Sequence, residues 1–302
     1  MAAWIDAFLP TFGLIALGFF LRRRTMTDAT VWAGLENLTF WVLLPSLLAS
    51  SISTVKLSEL PIGAMAVTTW TTLGLGTVSA LILARLLGHQ HPAATSVLQG
   101  GIRFNNYIAF AVSVGLMGQG GLAFAGVSAG LIVPFVQVVL TLVFVLGGGR
   151  RVAPLKLLQQ IAFNPLIIGS LVGFGFATVG GLPPGLAPFC RSLGQASLAL
   201  GLLCVGAGLV IGDLADQPLT QILTALQKLV AIPALTLILG RTMGLDSVPL
   251  AVLVLTMASP TAVSAYVMAR AMGGDARLMA AMITLQHLAA IITMPLWALV
   301  LT

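Results

Sequence analysis

Apolar runs of about twenty residues recur along the whole chain, separated by short stretches rich in charged or turn-forming residues. Runs of this length fit membrane-spanning helices, because the strands of a membrane barrel are nearer to about ten residues and alternate in polarity. No remaining stretch is long enough for a separate soluble domain, so we expect one all-α integral membrane domain over 1–302. The pattern predicts ten helical spans, near 4–21, 31–53, 60–87, 93–117, 120–146, 163–180, 187–211, 218–242, 248–272 and 278–301.

Composition supports this interpretation. The chain has 302 residues, of which 58% are hydrophobic and 7% charged, and its mean hydropathy is +1.07. Soluble domains carry about 25% charged residues, so composition alone favours a membrane protein. The net charge of +6 implies no nucleic-acid partner, because basic residues in short loops are what membrane insertion requires. The first span is followed rather than preceded by arginines, and we expect it to be retained rather than cleaved as a signal peptide.

The distribution of lysine and arginine predicts that both termini lie on the outer side of the membrane. With the N-terminus outside, nine basic residues fall in inner loops and three fall on the outer side. The inner set comprises Arg22, Arg23, Arg24, Arg85, Arg150, Arg151, Lys156, Arg270 and Arg277, and the outer set comprises Lys56, Arg191 and Arg241.

The two halves of the chain are similar to each other. A shift of 155 residues superposes "FLPTFGLIALGFF", which begins at Phe8, on "FNPLIIGSLVGFG", which begins at Phe163. A shift of 156 superposes "LILARLLG", from Leu81, on "LILGRTMG", from Leu237, with five of eight positions identical. We therefore predict two repeats, 1–150 and 151–302, of five spans each. Because five is odd, the second repeat enters the membrane from the opposite side, an arrangement typical of secondary transporters.

The fourth span of each repeat carries helix-breaking residues near the middle of the membrane. A helix broken within lipid leaves backbone groups that only protein or a water-filled cavity can satisfy. Two breaks at matching positions therefore predict a shared central cavity, where the N-termini of half-helices would suit an anion. The predicted helix breaks are Gly100 and Gly101 in the stretch "GGIRFNNY", and Pro260 in "ASPTA".

Polar side chains beside these breaks are the candidate substrate-binding residues. Arg103 is the most informative, because an arginine at the centre of a span costs about 2.5–3.5 kcal/mol and normally faces a cavity or a partner. It would bind a carboxylate or, alternatively, snorkel toward the membrane interface or pair with backbone carbonyls at the helix break. Side-chain hydrogen bonds to the same ligand are expected from Asn105, Asn106, Ser259 and Thr261, and Pro260 completes the set as part of the helix end at the site.

Three other polar residues lie deep in spans and are candidates for ion coupling or charge compensation. Lys228 would compensate the charge of an anionic substrate or, alternatively, extend toward the membrane interface. His287, beside Gln286, is the deep group that titrates near neutral pH, and it is either a hydrogen-bonded core residue or a proton carrier.

Several activities lack their usual sequence signatures. There is no phosphate-binding loop for ATP and neither a HExxH nor a GxSxG motif, so we expect neither an ATP-driven pump nor an enzyme. Cys190 and Cys204 lie about 21 Å apart along one helix, too far for a disulfide. We expect no cofactor and no metal site.

The chain resembles the auxin efflux carrier family, specifically its bacterial members related to plant PIN carriers and of the malonate transporter type. The resemblance is carried by "FLPTFGLIALGFFLRR", "RFNNYIAFA", "NPLIIGSLVG" and, most specifically, the block from Ala258 to Leu296 that begins "ASPTAVSAYVMARAMGG". It implies a fold like that of bile-acid/sodium symporters, in which the fourth and ninth predicted spans, 93–117 and 248–272, are broken helices that cross at the substrate site. It also implies scaffold helices over 4–53 and 163–211 and a mobile core over 60–146 and 218–301. The family's substrate-binding asparagine corresponds to Asn105, with Asn106 as the alternative register, and its proline corresponds to Pro260.

The sequence and the resemblance together predict a secondary transporter of the bacterial inner membrane. Its substrate would be a small organic anion, such as malonate, another mono- or dicarboxylate or an auxin-like acid, moved by efflux or exchange through an elevator-type mechanism. The coupling ion, H⁺ or Na⁺, is left open. The resemblance also implies a homodimer formed through the scaffold helices. The alternative function is a membrane sensor that binds the ligand on the same fold without transporting it.

Overall fold

The computed structural model describes residues 2–56, 60–148, 155, 158–159, 162–211 and 214–301, and among these residues there are helices and no strands. Arg150, Arg151 and Lys156, which enter the orientation count, lie outside the described residues, as does the 150/151 boundary between the predicted repeats. The helices are α1 Ala2–Arg24, α2 Ala29–Ile52, α3 Ile62–Leu86, α4 His91–Ile102, α5 Asn106–Gly148, α6 Pro165–Thr178, α7 Leu186–Ala207, α8 Pro218–Thr242, α9 Ser247–Ala258, α10 Ser264–Met272 and α11 Ala276–Leu301.

Helices occupy each of the ten predicted spans. In the described part of the chain, seven helical stretches are long and apolar enough to cross a membrane, and α6 and α9 are shorter apolar helices. The chain is therefore a multi-pass membrane protein. The predicted division between the fourth and fifth spans falls within α5, where Gly118 has a φ of +62° and a ψ of −153° and interrupts the helix. A positive φ of this kind strains residues with a Cβ and suits glycine.

Helix starts and bends follow from local sequence. The side chain of Asp28 caps α2 by accepting a hydrogen bond from the Thr30 backbone N–H at 2.8 Å. Bonds from the Thr30 backbone and hydroxyl hold the pKa of Asp28 below its ordinary value. Two wider π-helical turns, Thr39–Leu43 in α2 and Gln227–Ala231 in α8, each end just before a proline-containing turn. Because proline cannot donate the regular helical bond and crowds the preceding turn, a π turn at this position accommodates it.

The described chain forms two compact units. The first comprises Met1–Ile62, Tyr107–Val133 and Gln159–Gly208, with α1 packed on α7 and α2 packed on α6 and α7. Small residues allow these backbones to approach closely, as is common between membrane helices. For example, a Cβ placed on Gly169 of α6 would lie 2.7 Å from the backbone of Pro45 in α2.

The second compact unit comprises Gly63–Asn106, Pro134–Leu158 and Leu209–Thr302. Within it, α11 packs against α4, α8, α9 and α10. Residues 107–133 belong to the first unit, although the predicted mobile core extends over 60–146. The scaffold and core assignment therefore stays a prediction. Every residue of the candidate site described next lies in the second unit.

Candidate functional site

The first helix interruption lies between α4 and α5, at residues 103–105. Arg103 has an extended backbone, with a φ of −74° and a ψ of 157°. The prediction that Gly100 and Gly101 break the helix is wrong, since α4 continues through both residues to Ile102. They serve close packing instead. A Cβ on Gly100 would lie 2.9 Å from the Thr224 side chain, and one on Gly101 would lie 2.8 Å from Gln227 Nε2. Tertiary packing of this kind outweighs the roughly 1 kcal/mol that each glycine costs within a helix.

The second interruption lies between α9 and α10 and contains Pro260, as predicted. Ser259 is extended, with a φ of −66° and a ψ of 143°, which is the conformation favoured for a residue before proline. Proline has no backbone N–H, so the break leaves one donor fewer to be satisfied. The helix resumes at Ser264.

Hydrogen bonds join the two interruptions. Thr261 donates its hydroxyl hydrogen to the Gly100 carbonyl at 3.0 Å, and the Asn105 N–H donates to Ser259 Oγ at 3.3 Å. Gln286 of α11 bridges both segments: its Nε2 donates to the Gly100 carbonyl at 2.9 Å, and its Oε1 accepts from the Thr261 N–H at 2.9 Å. These residues are almost completely buried. The polar groups at the helix ends are therefore satisfied by protein, which is one of the two ways available within a membrane.

His287 has a defined tautomer because of its two partners. Its Nδ1 lies 2.7 Å from the Ile283 carbonyl, which can only accept, so Nδ1 carries the hydrogen. In a neutral ring, Nε2 is then an acceptor. Nε2 lies 3.3 Å from Asn105 Nδ2 and accepts its hydrogen bond. The structure thus brings together His287 and Asn105, the candidate coupling residue and the candidate substrate-binding residue.

Arg103 is held by neutral partners in the described part of the chain. Its Nη2 donates to Ser264 Oγ at 2.8 Å, and its Nη1 donates to Gln99 Oε1 at 3.2 Å and lies 3.2 Å from Met268 Sδ. The predicted alternative, in which the guanidinium pairs with backbone carbonyls, is not observed among the described residues. A partly buried cation without a carboxylate partner remains electrostatically available to an anion.

Gln99 is a site residue that the sequence analysis missed. It is fully buried, its Oε1 is bonded to Arg103, and its Nε2 has no hydrogen-bond partner among the described residues. A buried donor left unpaired costs about 1–3 kcal/mol, so such an atom beside a cation is a candidate contact for a ligand or a water molecule. The sequence signal that could have identified Gln99 is its spacing from Arg103, since residues four positions apart lie on the same face of a helix. Asn106 Oδ1 is likewise buried without a partner, but a carboxamide oxygen only accepts and suits a ligand hydroxyl rather than a carboxylate.

Lys228 is fully buried in the π turn of α8 and does not extend toward an interface. Its Nζ donates to the Met257 carbonyl, in the last turn of α9, at 2.5 Å. A cation at the C-terminus of a helix stabilises the carbonyl dipoles that end there. Lys228 therefore has a structural partner at the α9 end of the second interruption, and its compensation of substrate charge stays a prediction.

A family model described as membrane transport protein matches residues 150–298. The match includes Lys228, the interruption at Pro260, and the pair formed by Gln286 and His287. It confirms the predicted resemblance to the auxin efflux carrier family over that part of the chain. A comparison with curated proteins found no match.

Proposed function

Residues 150–298 belong to the membrane transport protein family, and on that premise we propose that this chain is a secondary transporter of a small organic anion. The substrate is a mono- or dicarboxylate, with malonate and auxin-like acids as the leading candidates, and it leaves the cell by efflux or exchange. The protein acts in the bacterial inner membrane with both termini outside.

The observation that supports an anionic substrate is the Arg103 guanidinium, whose partners in the described chain are neutral. A guanidinium presents planar, paired N–H donors that match a carboxylate. The Nε2 of Gln99, which has no partner among the described residues, belongs to the same carboxamide that Arg103 contacts and supplies a further donor. A carboxylate bound here would both compensate the charge of Arg103 and accept a hydrogen bond from Gln99 Nε2.

The placement of the site supports an elevator-type mechanism. Both interruptions, and the Gln286 bridge that joins them, lie in the second compact unit. A site built within one unit can move with that unit without being dismantled, as alternating access between repeats requires.

The experiment that tests this proposal measures binding and flux for the same protein. Purified protein is screened by thermal shift against pyruvate, oxalate, malonate, succinate and indole-3-acetate, and each ligand that binds is tested for counterflow in proteoliposomes. We expect at least one carboxylate to bind and to exchange, and Arg103→Gln to weaken both binding and exchange. Arg270→Gln is the matched control, because Arg270 is an exposed arginine of α10.

Binding without counterflow would identify the chain as a sensor on the same fold. Failure of every carboxylate to bind would refute the assignment of substrate class. Normal binding and flux in Arg103→Gln would refute the assignment of the site.

A further inference from the structure

We propose that the coupling ion is a proton and that it binds Nε2 of His287 together with the substrate anion. This inference rests on the proposed function, because it concerns the same site. The sequence left H⁺ and Na⁺ open, and the hydrogen-bond partners of His287 distinguish them.

The geometry leaves one atom of the ring for the proton. Nδ1 already carries a hydrogen, donated to the Ile283 carbonyl at 2.7 Å. Nε2 is the acceptor of the Asn105 amide N–H at 3.3 Å. A proton arriving at His287 must therefore bind Nε2, and it converts the acceptor of this hydrogen bond into a donor.

Protonation then leaves two donors facing each other. The imidazolium Nε2–H and the Asn105 Nδ2–H cannot bond to one another, and both groups are buried. A carboxylate oxygen accepts from both, and its negative charge offsets the imidazolium. In the orientation that the Asn105 amide has in the structure, protonation of Nε2 frees the Nδ2–H for the anion, and the anion in turn accepts from both donors.

The other charges around His287 favour this linkage. Among the described residues, the elements packed against α11 carry cations or neutral titratable groups and no carboxylate within their helices, and α9 carries no titratable group at all. A lone proton at His287 would add a buried positive charge, whereas a proton with an anion adds no net charge. The charged and titratable residues concerned are His91 on α4, Arg103 at its end, Lys228 and Arg241 on α8, Tyr266 and Arg270 on α10, and Arg277 on α11. Carboxylates lie at the helix ends: Asp246 precedes α9, Asp275 precedes α11, and Asp216 pairs with Arg277 at 3.6 Å.

The transport step conserves charge and protons. On the loading side, one proton from water binds Nε2 and one carboxylate binds the imidazolium and Asn105. On the release side, the anion leaves, the proton returns to water, and Nε2 again accepts from Asn105. A monoanion therefore crosses with one proton and moves no net charge.

The test measures proton uptake directly in the wild-type protein. Pyruvate and oxalate are the probes, because their carboxylates stay ionised from about pH 5.5 to about pH 7.5, across which histidine titrates. We expect the affinity to rise about tenfold for each unit by which the pH falls, as one linked proton requires. We also expect one proton to be taken from a weakly buffered solution for each anion bound.

The variant His287→Gln assigns this proton to its residue. Glutamine does not titrate, so the variant should bind both probes with an affinity that does not change with pH and without proton uptake. His89→Gln is the control, since His89 lies in a loop, where its Nε2 is 2.8 Å from Thr220 Oγ1. It should keep the full pH dependence.

Three results would overturn the inference that a proton binds His287 together with the anion. Wild-type affinity independent of pH, or anion binding without proton uptake, overturns the inference and leaves carboxylate transport standing. The same pH dependence in His287→Gln as in wild type also overturns it. If neither probe binds wild type at any pH, the proposed preference for small carboxylates fails and the inference fails with it. The wild-type proton count needs no variant and stands even if His287→Gln does not fold.

Discussion

Two buried threonines beside the second interruption allow the energetic contribution of the hydrogen bond between Thr261 and Gly100 to be measured. Thr261 Oγ1 donates to the Gly100 carbonyl at 3.0 Å, whereas Thr256 Oγ1 has no hydrogen-bond partner among the described residues. Both side chains are completely buried. Valine preserves the shape of threonine and removes only the hydroxyl. Thr261→Val therefore deletes one linking bond, and Thr256→Val deletes a hydroxyl that bonds to nothing described.

The expected magnitudes follow from what each change leaves behind. A neutral hydrogen bond contributes about 0.5–1.5 kcal/mol, and pairs within membrane proteins average about 0.6 kcal/mol. After Thr261→Val, the Gly100 carbonyl still accepts from Gln286 Nε2 at 2.9 Å. The loss in the free energy of unfolding should therefore be about 0.5–1 kcal/mol. Thr256→Val should leave stability unchanged or slightly raised, because it removes an unpaired polar group from the interior.

In a Gln286→Met background, the Gly100 carbonyl depends on Thr261 alone, so Thr261→Val then leaves a buried acceptor without a partner. That penalty is about 1–3 kcal/mol. The two changes should therefore be non-additive by about 1 kcal/mol, which a double-mutant cycle can resolve.

The assay is reversible unfolding of the purified protein in mixed detergent and SDS micelles, followed by circular dichroism. Equal destabilisation by Thr261→Val and Thr256→Val would refute the claim that the Thr261 bond links the helix ends. Strict additivity with Gln286→Met would refute the claim that the two donors share the Gly100 carbonyl.

Three further predictions concern the anion site and the helix packing. Arg103→Gln should weaken carboxylate affinity at least about tenfold in a binding titration, because a charged hydrogen bond contributes about 1.5–3 kcal/mol, while Arg270→Gln should not. Gln99→Leu should weaken binding and also lower the melting temperature, since it removes both the buried Nε2 donor and the Oε1 that accepts from Arg103; unchanged binding would contradict a contact between Gln99 and the ligand. Gly206→Ala should lower the melting temperature, because the added methyl overlaps the Ile15 carbonyl oxygen. Gly13→Ala should leave it unchanged, because no atom lies within 4 Å of a Cβ at that position; equal effects would contradict close packing of α1 on α7.

Local sequence predicted the positions of the spans and both interruptions. Long apolar runs predict helices because, within lipid, backbone polar groups must pair internally. Pro260 predicts its own break, because a proline lacks the donor that a continuing helix requires. The residues of the second interruption and the pair at 286 and 287 were recognisable for a similar reason, since polar groups are rare in such apolar segments.

Local sequence failed where a residue's role depends on a distant partner. Gly100 and Gly101 were expected to break α4, but the neighbours that occupy the space beside them come from α8 and α11. Gln99 drew no attention, because one glutamine near a helix end is unremarkable until its amide oxygen is found on Arg103 and its amide nitrogen is found without a described partner. Lys228 could not be assigned, because the carbonyl that it reaches lies on another helix.

The sequence by itself determined that this is a multi-pass helical membrane protein with breaks in two of its helices, because these properties follow from hydropathy and from backbone chemistry within one segment. Only the tertiary structure decided which polar groups satisfy one another. A hydrogen bond depends on the distance and direction between atoms that can be far apart along the chain. Asn105 and His287 are separated by 182 positions, and only the packing of α11 brings their side-chain nitrogens to 3.3 Å.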